Sequence, residues 1–400
     1  MNTTAKQLEH LVSTTFLLIL TVTIFAKAPA KTDTIRQVQK IRDFVIYEDP
    51  SFYAAFPSVI KNEDGEILVA FRRAPDRKVF LEKRTTHVDP NSYLVFVRSR
   101  DHGLSWSKEP ELISAHPFGG SQDPCLLKLK DGTLLCTSYT WAFIRGDAQD
   151  LKQPVFVHGG NVVFMGGYMM RSSDMGNSWD GPFYPPNIPP EVKYSALGDP
   201  LPAYNRGALW EGEDGRIFWV VAAGSDPNNL GKTSNYLLIS EDKGLSWQYS
   251  CPVAEDTEAA FNETSVYETP KGDLVAFIRS AGLEDQACIA RSTDGGNSFG
   301  PWEKMGFQGH PLQALRLPDN RVFLVYGYRH KPYGIRARIL NAECTDYGTA
   351  EEIIIREDGG STDIGYPWAV MLDESRVLVT YYFNLKNGTR HIAGSVLEID

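Results

Sequence analysis

The sequence predicts an all-β fold, a six-bladed β-propeller, from two repeats and one leftover strand. The first repeat is Ser-x-Asp-x-Gly-x-x-Trp/Phe, present four times: Ser99 to Trp106, Ser172 to Trp179, Ser240 to Trp247 and Ser292 to Phe299. Its Asp accepts hydrogen bonds from its own turn, its Gly supplies a positive φ, and its aromatic residue packs the turn onto the strand behind. The second repeat is a pair of apolar strands around a turn dipeptide, and it occurs six times. The segments are Phe56 to Arg73, Asp123 to Trp141, Arg206 to Ala223, Asn262 to Ser280, His310 to His330 and Gly365 to Asn384. Turn residues flanked by alternating β-branched and aromatic side chains mark hairpins. Successive turns lie roughly 45 to 85 residues apart, near the length of a four-stranded blade. The four boxes follow the first four hairpins, and Ala342 to Ala350 reads as an eroded fifth. The leftover strand, Val38 to Glu48, is expected to complete the last blade beside Ile392 to Ile399, so that the chain ends close the ring and leave no open sheet edge.

Composition fits a large secreted globular domain: 42% hydrophobic and 12% aromatic residues supply the core, and 34 Gly with 24 Pro supply the turns. A formal net charge of -10 with no basic run argues against a nucleic-acid partner. The N-terminus carries Lys6, an apolar stretch from Leu11 to Phe25 and the small-residue sites Ala26-Lys-Ala28 and Ala28-Pro-Ala30. This layout predicts a signal peptide over residues 1–30, a single propeller domain over 31–400, export to the periplasm or medium, and no membrane span after cleavage. The five Cys residues are scattered, with no metal-ligand spacing, and are expected mostly as buried strand residues. Neither a metal nor a cofactor is expected, and the chain is expected to act as a monomer.

Strand polarity assigns residues to the two ends of a propeller. Within each blade, the start of strand 1, the end of strand 2 and the loop from strand 2 to strand 3 lie at one end. The boxes, between strands 3 and 4, lie at the other. The first end therefore gathers Asp123, Arg206, Glu263, His310 and Tyr366 from strand-1 starts. It also gathers Arg72, Arg73, Arg279 and Arg329 from strand-2 ends, with Asp76, Asp89 and Arg336 nearby. Convergent guanidinium groups match carboxylates in bidentate fashion and point to an anionic ligand.

The box repeat over nearly the whole predicted domain resembles the sialidase (neuraminidase) superfamily of six-bladed propellers. The resemblance implies a Tyr nucleophile at the start of the last blade, activated by a Glu at the start of blade 4, with an Arg of the substrate clamp about 16 residues after that Glu. Gly365-Tyr366-Pro, Asn262-Glu263-Thr and Ile278-Arg279-Ser stand at those places. A phenol titrates near pH 10, so a close carboxylate is needed to draw off its proton. The resemblance further implies an Asp acid/base in the blade 1 loop, where Asp89 is favoured over Asp76. It also implies a clamp Arg from blade 5, where Arg329 and Arg336 fit better than Arg338.

Two departures from the family pattern stand out. Where the family opens blade 1 with Arg-Ile-Pro, this chain has Ala55-Phe56-Pro57, and the Glu that would hold that Arg is absent from Thr380 to Phe383. Arg72 or Arg73 offers a replacement guanidinium from the adjacent strand. The leading expectation is an exo-glycosidase of the sialidase type acting on a terminal, acidic sugar of a glycoconjugate or polysaccharide. Two alternatives stand beside it: a polysaccharide lyase using Tyr328, His310 and His330 on a uronate, and a non-catalytic glycan-binding propeller.

Overall fold

A computed structural model describes residues 38–80, 87–144, 155, 157–158, 162–386 and 388–400. The segment assigned to the signal peptide lies outside the described residues. The described strands form six antiparallel sheets, one per blade, with neighbouring strands consecutive in the chain except where the N-terminal strand joins the last blade and where the first strand of blade 2 is split, and the chain is an all-β six-bladed propeller. Blade 1 runs Phe52–Lys61, Ile67–Pro75, Tyr93–Ser99 and Glu111–Ser114. Blade 4 runs Ala260–Glu268, Leu274–Ala281, Gln286–Ser292 and Glu303–Gln308, and blade 5 starts at Leu312–Arg316. Blade 6 combines Gly365–Met371, Arg376–Phe383 and His391–Ile399 with the N-terminal strand Val38–Tyr47. Val38 faces Ile399 and Tyr47 faces Ile392, so the closure predicted from the two leftover strands is present.

The boxes all sit between the third and fourth strands and share one hydrogen-bond set. In the first, Ser99 Oγ donates to Asp101 Oδ1 at 2.8 Å, Gly103 N to Ser99 Oγ at 2.8 Å, and Ser105 N to Asp101 Oδ1 at 2.8 Å. The same three bonds recur around Asp174, Asp242 and Asp294. Both residues after the Asp take positive φ, as in His102-Gly103 and Met175-Gly176. That turns the box carbonyls outward toward the preceding blade. Arg98 Nη1 binds Met175 O at 3.1 Å, Ser250 Oγ binds Gly296 O at 2.6 Å, and Arg42 Nη2 binds Gly103 O at 2.8 Å. The third box reaches its neighbour through a side chain instead, Lys243 Nζ donating to Asp131 at 2.7 Å, so each box is a latch between neighbouring blades. The eroded fifth position is also a turn between strands 3 and 4, where Asp346 Oδ1 accepts from Asn341 N at 2.9 Å. All five Cys are buried and free, and across the second hairpin Cys136 faces Leu126 while Cys125 faces Thr137.

Candidate active site

At the opposite end, the first strand is interrupted where it nears the axis in blades 1, 2, 4 and 6. Register shifts fall between Ala55 and Ser58, Phe261 and Thr264, and Gly365 and Trp368. In blade 2 the first strand breaks into Gly120–Ser121 and Cys125–Lys128. A bulge at such a point re-aims one side chain. Phe56, Asp123 and Tyr366 reach their places with φ of 59°, 30° and 53°, a backbone state that non-glycine residues seldom hold. Two glycines let the backbones approach: Gly365 has φ 114°, and a Cβ on Gly207 would lie 1.9 Å from the Thr264 carbonyl. The equivalent positions are Phe56, Asp123, Arg206, Glu263, His310 and Tyr366, one per blade.

Four of the predicted residues meet directly. Tyr366 Oη donates to one Glu263 oxygen, Arg279 Nη1 donates to the other, and Arg279 Nη1 also lies 3.1 Å from Tyr366 Oη. Arg329 stacks 5.2 Å from the centre of the Tyr366 ring, donating to Tyr382 Oη and Ile364 O at 3.0 Å each. Arg206, fully buried, lies 4.5 Å from the same ring centre and donates to Pro57 O at 3.1 Å. Among the described residues, Arg206 Nε and Nη1 and Arg279 Nε have no hydrogen-bond acceptor.

The electrostatics separate these groups into distinct proton states. Burial alone would raise the Glu263 carboxyl, but the Arg279 charge, the Tyr366 hydrogen bond and Arg206 outweigh it and hold Glu263 below its usual range. Burial and then the Glu263 charge push the Tyr366 phenol far up, so it stays protonated. Asp123 moves the other way from Glu263: burial, reinforced by the Glu263 charge, raises it to about 7 against the pull of Arg206, Arg72 and the Tyr139 hydrogen bond. His310 is held neutral by burial and by the nearby Arg279 and Arg329 charges, with Nδ1 3.7 Å from Asp285.

Four predicted residues, Asp89, Asp76, Arg73 and Arg336, are placed elsewhere. Asp89, 1% exposed, is gripped by Arg77, whose Nε and Nη2 lie 2.6 and 2.8 Å from its two oxygens. Asn91 N donates to it as well, at 2.8 Å, so this carboxylate is committed to its own loop. Asp76 accepts from Lys78 N at 3.0 Å in a local turn. Arg73 turns away, pairing with Asp49 at 3.1 Å and stacking on Phe52 at 3.5 Å, because adjacent strand residues face opposite ways. Arg72 is the inward member, buried with its guanidinium 5.4 and 5.9 Å from the Tyr53 and Phe56 rings. Arg336 is wedged against backbone carbonyls of its own blade, Arg356 O and Pro332 O, and faces Glu352 at 3.5 Å.

The place of the absent clamp Arg is apolar. Ala55 is fully buried, and the Phe56 ring lies 4.8 Å from Tyr366 and 5.1 Å from Tyr382. Behind it Asp363 accepts from Tyr53 Oη and Tyr382 Oη at 2.9 Å each and from Arg390 Nε at 2.9 Å. This hub was not singled out from the sequence, although Asp363 enters blade 6 three residues before Tyr366, on the side that strand polarity assigns to the cleft. A cavity opens beside Glu263 and Arg206, walled by Tyr139, Trp141, Phe164, Tyr204 and Lys193. Lys193 donates to Tyr204 Oη at 2.9 Å and pairs with buried Glu191 at 3.3 Å. Tyr139, Trp141 and Phe164 stand on strands of blade 2, whereas Lys193 and Tyr204 come from the irregular segment between blades 2 and 3, which carries no motif.

A family model described as BNR repeat-like domain matches residues 154–379. A crystal structure of a protein of unknown function from Dyadobacter fermentans is 68% identical, covers 91% of this chain and 99% of its own, and superposes with a TM-score of 0.89. The NanB sialidase of Streptococcus pneumoniae, solved as a point mutant, is 12% identical with a TM-score of 0.60, over 90% of this chain and 70% of its own. An α-L-arabinofuranosidase of Fusarium graminearum, a point mutant in complex with an iminosugar inhibitor, is 11% identical with a TM-score of 0.57, over 90% and 98%. No curated protein sequence matches. The last two similarities speak for the fold alone, whereas the family model spans more than half of the chain and the repeats it describes are the boxes and blades seen here. The chain belongs to the BNR repeat-like family, built on the sialidase-type six-bladed propeller.

Proposed function

We propose that the protein is an exo-glycosidase that releases a terminal, acidic sugar from a glycoconjugate or polysaccharide. The observation that carries this reading is the Tyr366–Glu263–Arg279 unit on the propeller axis. Tyr366 is the nucleophile toward the anomeric carbon, and Glu263 receives its proton as the new bond forms. A neutral phenol suits a carboxylate-bearing sugar because it approaches without charge repulsion. The unsatisfied donors of Arg206 and Arg279, with the Arg329 guanidinium beside them, favour an anionic group on the sugar. The aromatic wall of Tyr139, Trp141, Phe164 and Tyr204 supplies apolar faces next to those polar groups, the usual makeup of a small-molecule site. With its leader-like N-terminus, the enzyme acts outside the cytoplasm.

The test is turnover of a panel of 4-nitrophenyl and oligosaccharide glycosides that includes sialosides and uronides. Release of a saturated acidic sugar, lost by about 100- to 10 000-fold in Glu263→Gln, is the expected result. An unsaturated, ultraviolet-absorbing product would replace this reading with β-elimination, and sugar binding without turnover would replace it with a lectin role.

A further inference from the structure

Asp123 is the buried carboxyl that the Tyr366–Glu263 unit does not use. It occupies the same axial position in blade 2 that Glu263 and Tyr366 occupy in blades 4 and 6. The three oxygen-bearing groups on the axis therefore come from alternate blades, and two of them are already in contact. The residue is 2% exposed and is held at φ 30° in the gap between the two pieces of its strand. One oxygen, Oδ2, accepts from Tyr139 Oη at 2.9 Å, and the other, Oδ1, is buried without a hydrogen-bond partner among the described residues. The charged and titratable groups facing it are Glu263, Arg206, Tyr139 and Arg72, with Tyr366 and Cys125 also within the reach of its charge. A buried carboxylate with a bare oxygen beside another carboxylate is unfavourable, whereas a carboxylic acid there has a proton to give.

We infer that Asp123 is the catalytic proton donor of this cleft, the role that Asp89 is prevented from playing by its pairing with Arg77. This rests on the glycosidase reading above. In the first half-reaction Tyr366 Oη bonds to the anomeric carbon and its proton passes to Glu263. The bond from that carbon to the glycosidic oxygen breaks, its electron pair stays on the oxygen, and the Asp123 proton neutralises it. In the second half, the Asp123 carboxylate takes a proton from water while the water oxygen bonds to the anomeric carbon. The Tyr366 oxygen then leaves with its electron pair and recovers the proton held by Glu263. Two carboxyl groups whose surroundings drive them to opposite proton states are the general pattern for such a division of labour.

The test compares Asp123→Asn with wild type on one sugar carrying leaving groups of graded acidity. In kcat/KM, the expected loss is about 100-fold or more on an alkyl glycoside that needs a proton, in the range of general acid catalysis, and under about 10-fold on a dinitrophenyl glycoside that does not, whose kcat falls instead because the second half-reaction lacks its base. Added azide restores turnover of the dinitrophenyl substrate. Equal loss on both substrates makes Asp123 structural and overturns the inference, as does a comparable leaving-group pattern in Asp89→Asn with none in Asp123→Asn. If no wild-type turnover is found with any glycoside, the glycosidase reading fails on its own. The state of Asp123 is then decided by carboxyl-carbon NMR, with Asp123→Asn identifying its resonance. A midpoint near 7 bears out a carboxyl that holds its proton in the neutral range, and one in the ordinary carboxylate range overturns it.

Discussion

The two ends of this propeller use the same repeated backbone in opposite ways. At the box end one chemical solution recurs: an exposed Asp collects its own turn's donors, and the turn latches onto the preceding blade. At the cleft end one backbone position recurs with different residues, and each depends on its neighbours from other blades. Tyr366 needs Glu263, Glu263 needs Arg279, and Arg206 lies against the Tyr366 ring. Local satisfaction makes the box end modular, whereas mutual satisfaction makes the cleft end a single unit. Substitutions should therefore act one blade at a time at the first end and collectively at the second.

The largest effect is expected from Arg279→Ala. It removes the main counter-charge of Glu263, and breaking such a pair costs about 3–5 kcal/mol when fully buried. The side chains here are 22% and 12% exposed, so a loss of about 2–3 kcal/mol is expected in the denaturant midpoint. Glu263 should also titrate higher in the variant, moving the acid limb of any activity profile upward. A stable variant with an unmoved acid limb would show that the cleft is not a coupled unit.

Next in size is Asp363→Asn. It weakens the acceptor shared by Tyr53, Tyr382 and Arg390, and a stability loss of about 1–3 kcal/mol is expected, as for partly buried donors left poorly matched. Because Arg329 is held by Tyr382, KM should rise as well. Unchanged stability and KM would remove the hub from the account.

Asp123 gives the same comparison a pH axis. Its folded-state value is raised to about 7, above that of the unfolded chain, so its contribution is fully favourable below the unfolded value, near pH 4, and is lost as pH rises through 7. Asp123→Asn should therefore raise Tm relative to wild type at pH 8 and not at pH 4. A gain of the opposite pH dependence would contradict the buried-acid assignment.

How much of this was legible in the sequence follows the same division. The boxes, the six hairpins and the closure strand are local or periodic patterns, and they were readable because a turn declares itself within eight residues. Glu263, Tyr366, Arg279 and Arg329 were readable because strand polarity carries position into space. The pairing of Asp89 with Arg77, twelve residues away in the same loop, could not be read from the sequence, because loop pairings have no period. Arg73 and Arg72 could be separated only by knowing which face of their strand turns inward. The role of Asp123 was hidden because burial and the field of Glu263 come from other blades. The cavity wall around Lys193 and Tyr204 was hidden because an irregular connection forms it.

The smallest effect is expected at the box end. The carboxyls of Asp101, Asp174 and Asp294 are lowered to about 2, each chiefly by hydrogen bonds from the Ser four residues on. Their stabilisation is fully present above the unfolded value near 4 and is lost as pH falls through 2. Replacing any one by Asn should lower Tm slightly at pH 6, with the difference fading as pH falls toward 2 and with no change in the cleft. Effects that grow as pH falls would contradict the local account.

The central claim is that Tyr366, backed by Glu263, forms the covalent bond to the sugar. It is tested most directly by trapping the protein with a fluorinated glycosyl fluoride of an acidic sugar and locating the added mass by peptide mass spectrometry. The account predicts one sugar per chain, attached at Tyr366 and absent from Tyr366→Phe. Attachment at Glu263 or Asp123 would contradict it, as would turnover with inversion of the anomeric centre and no adduct.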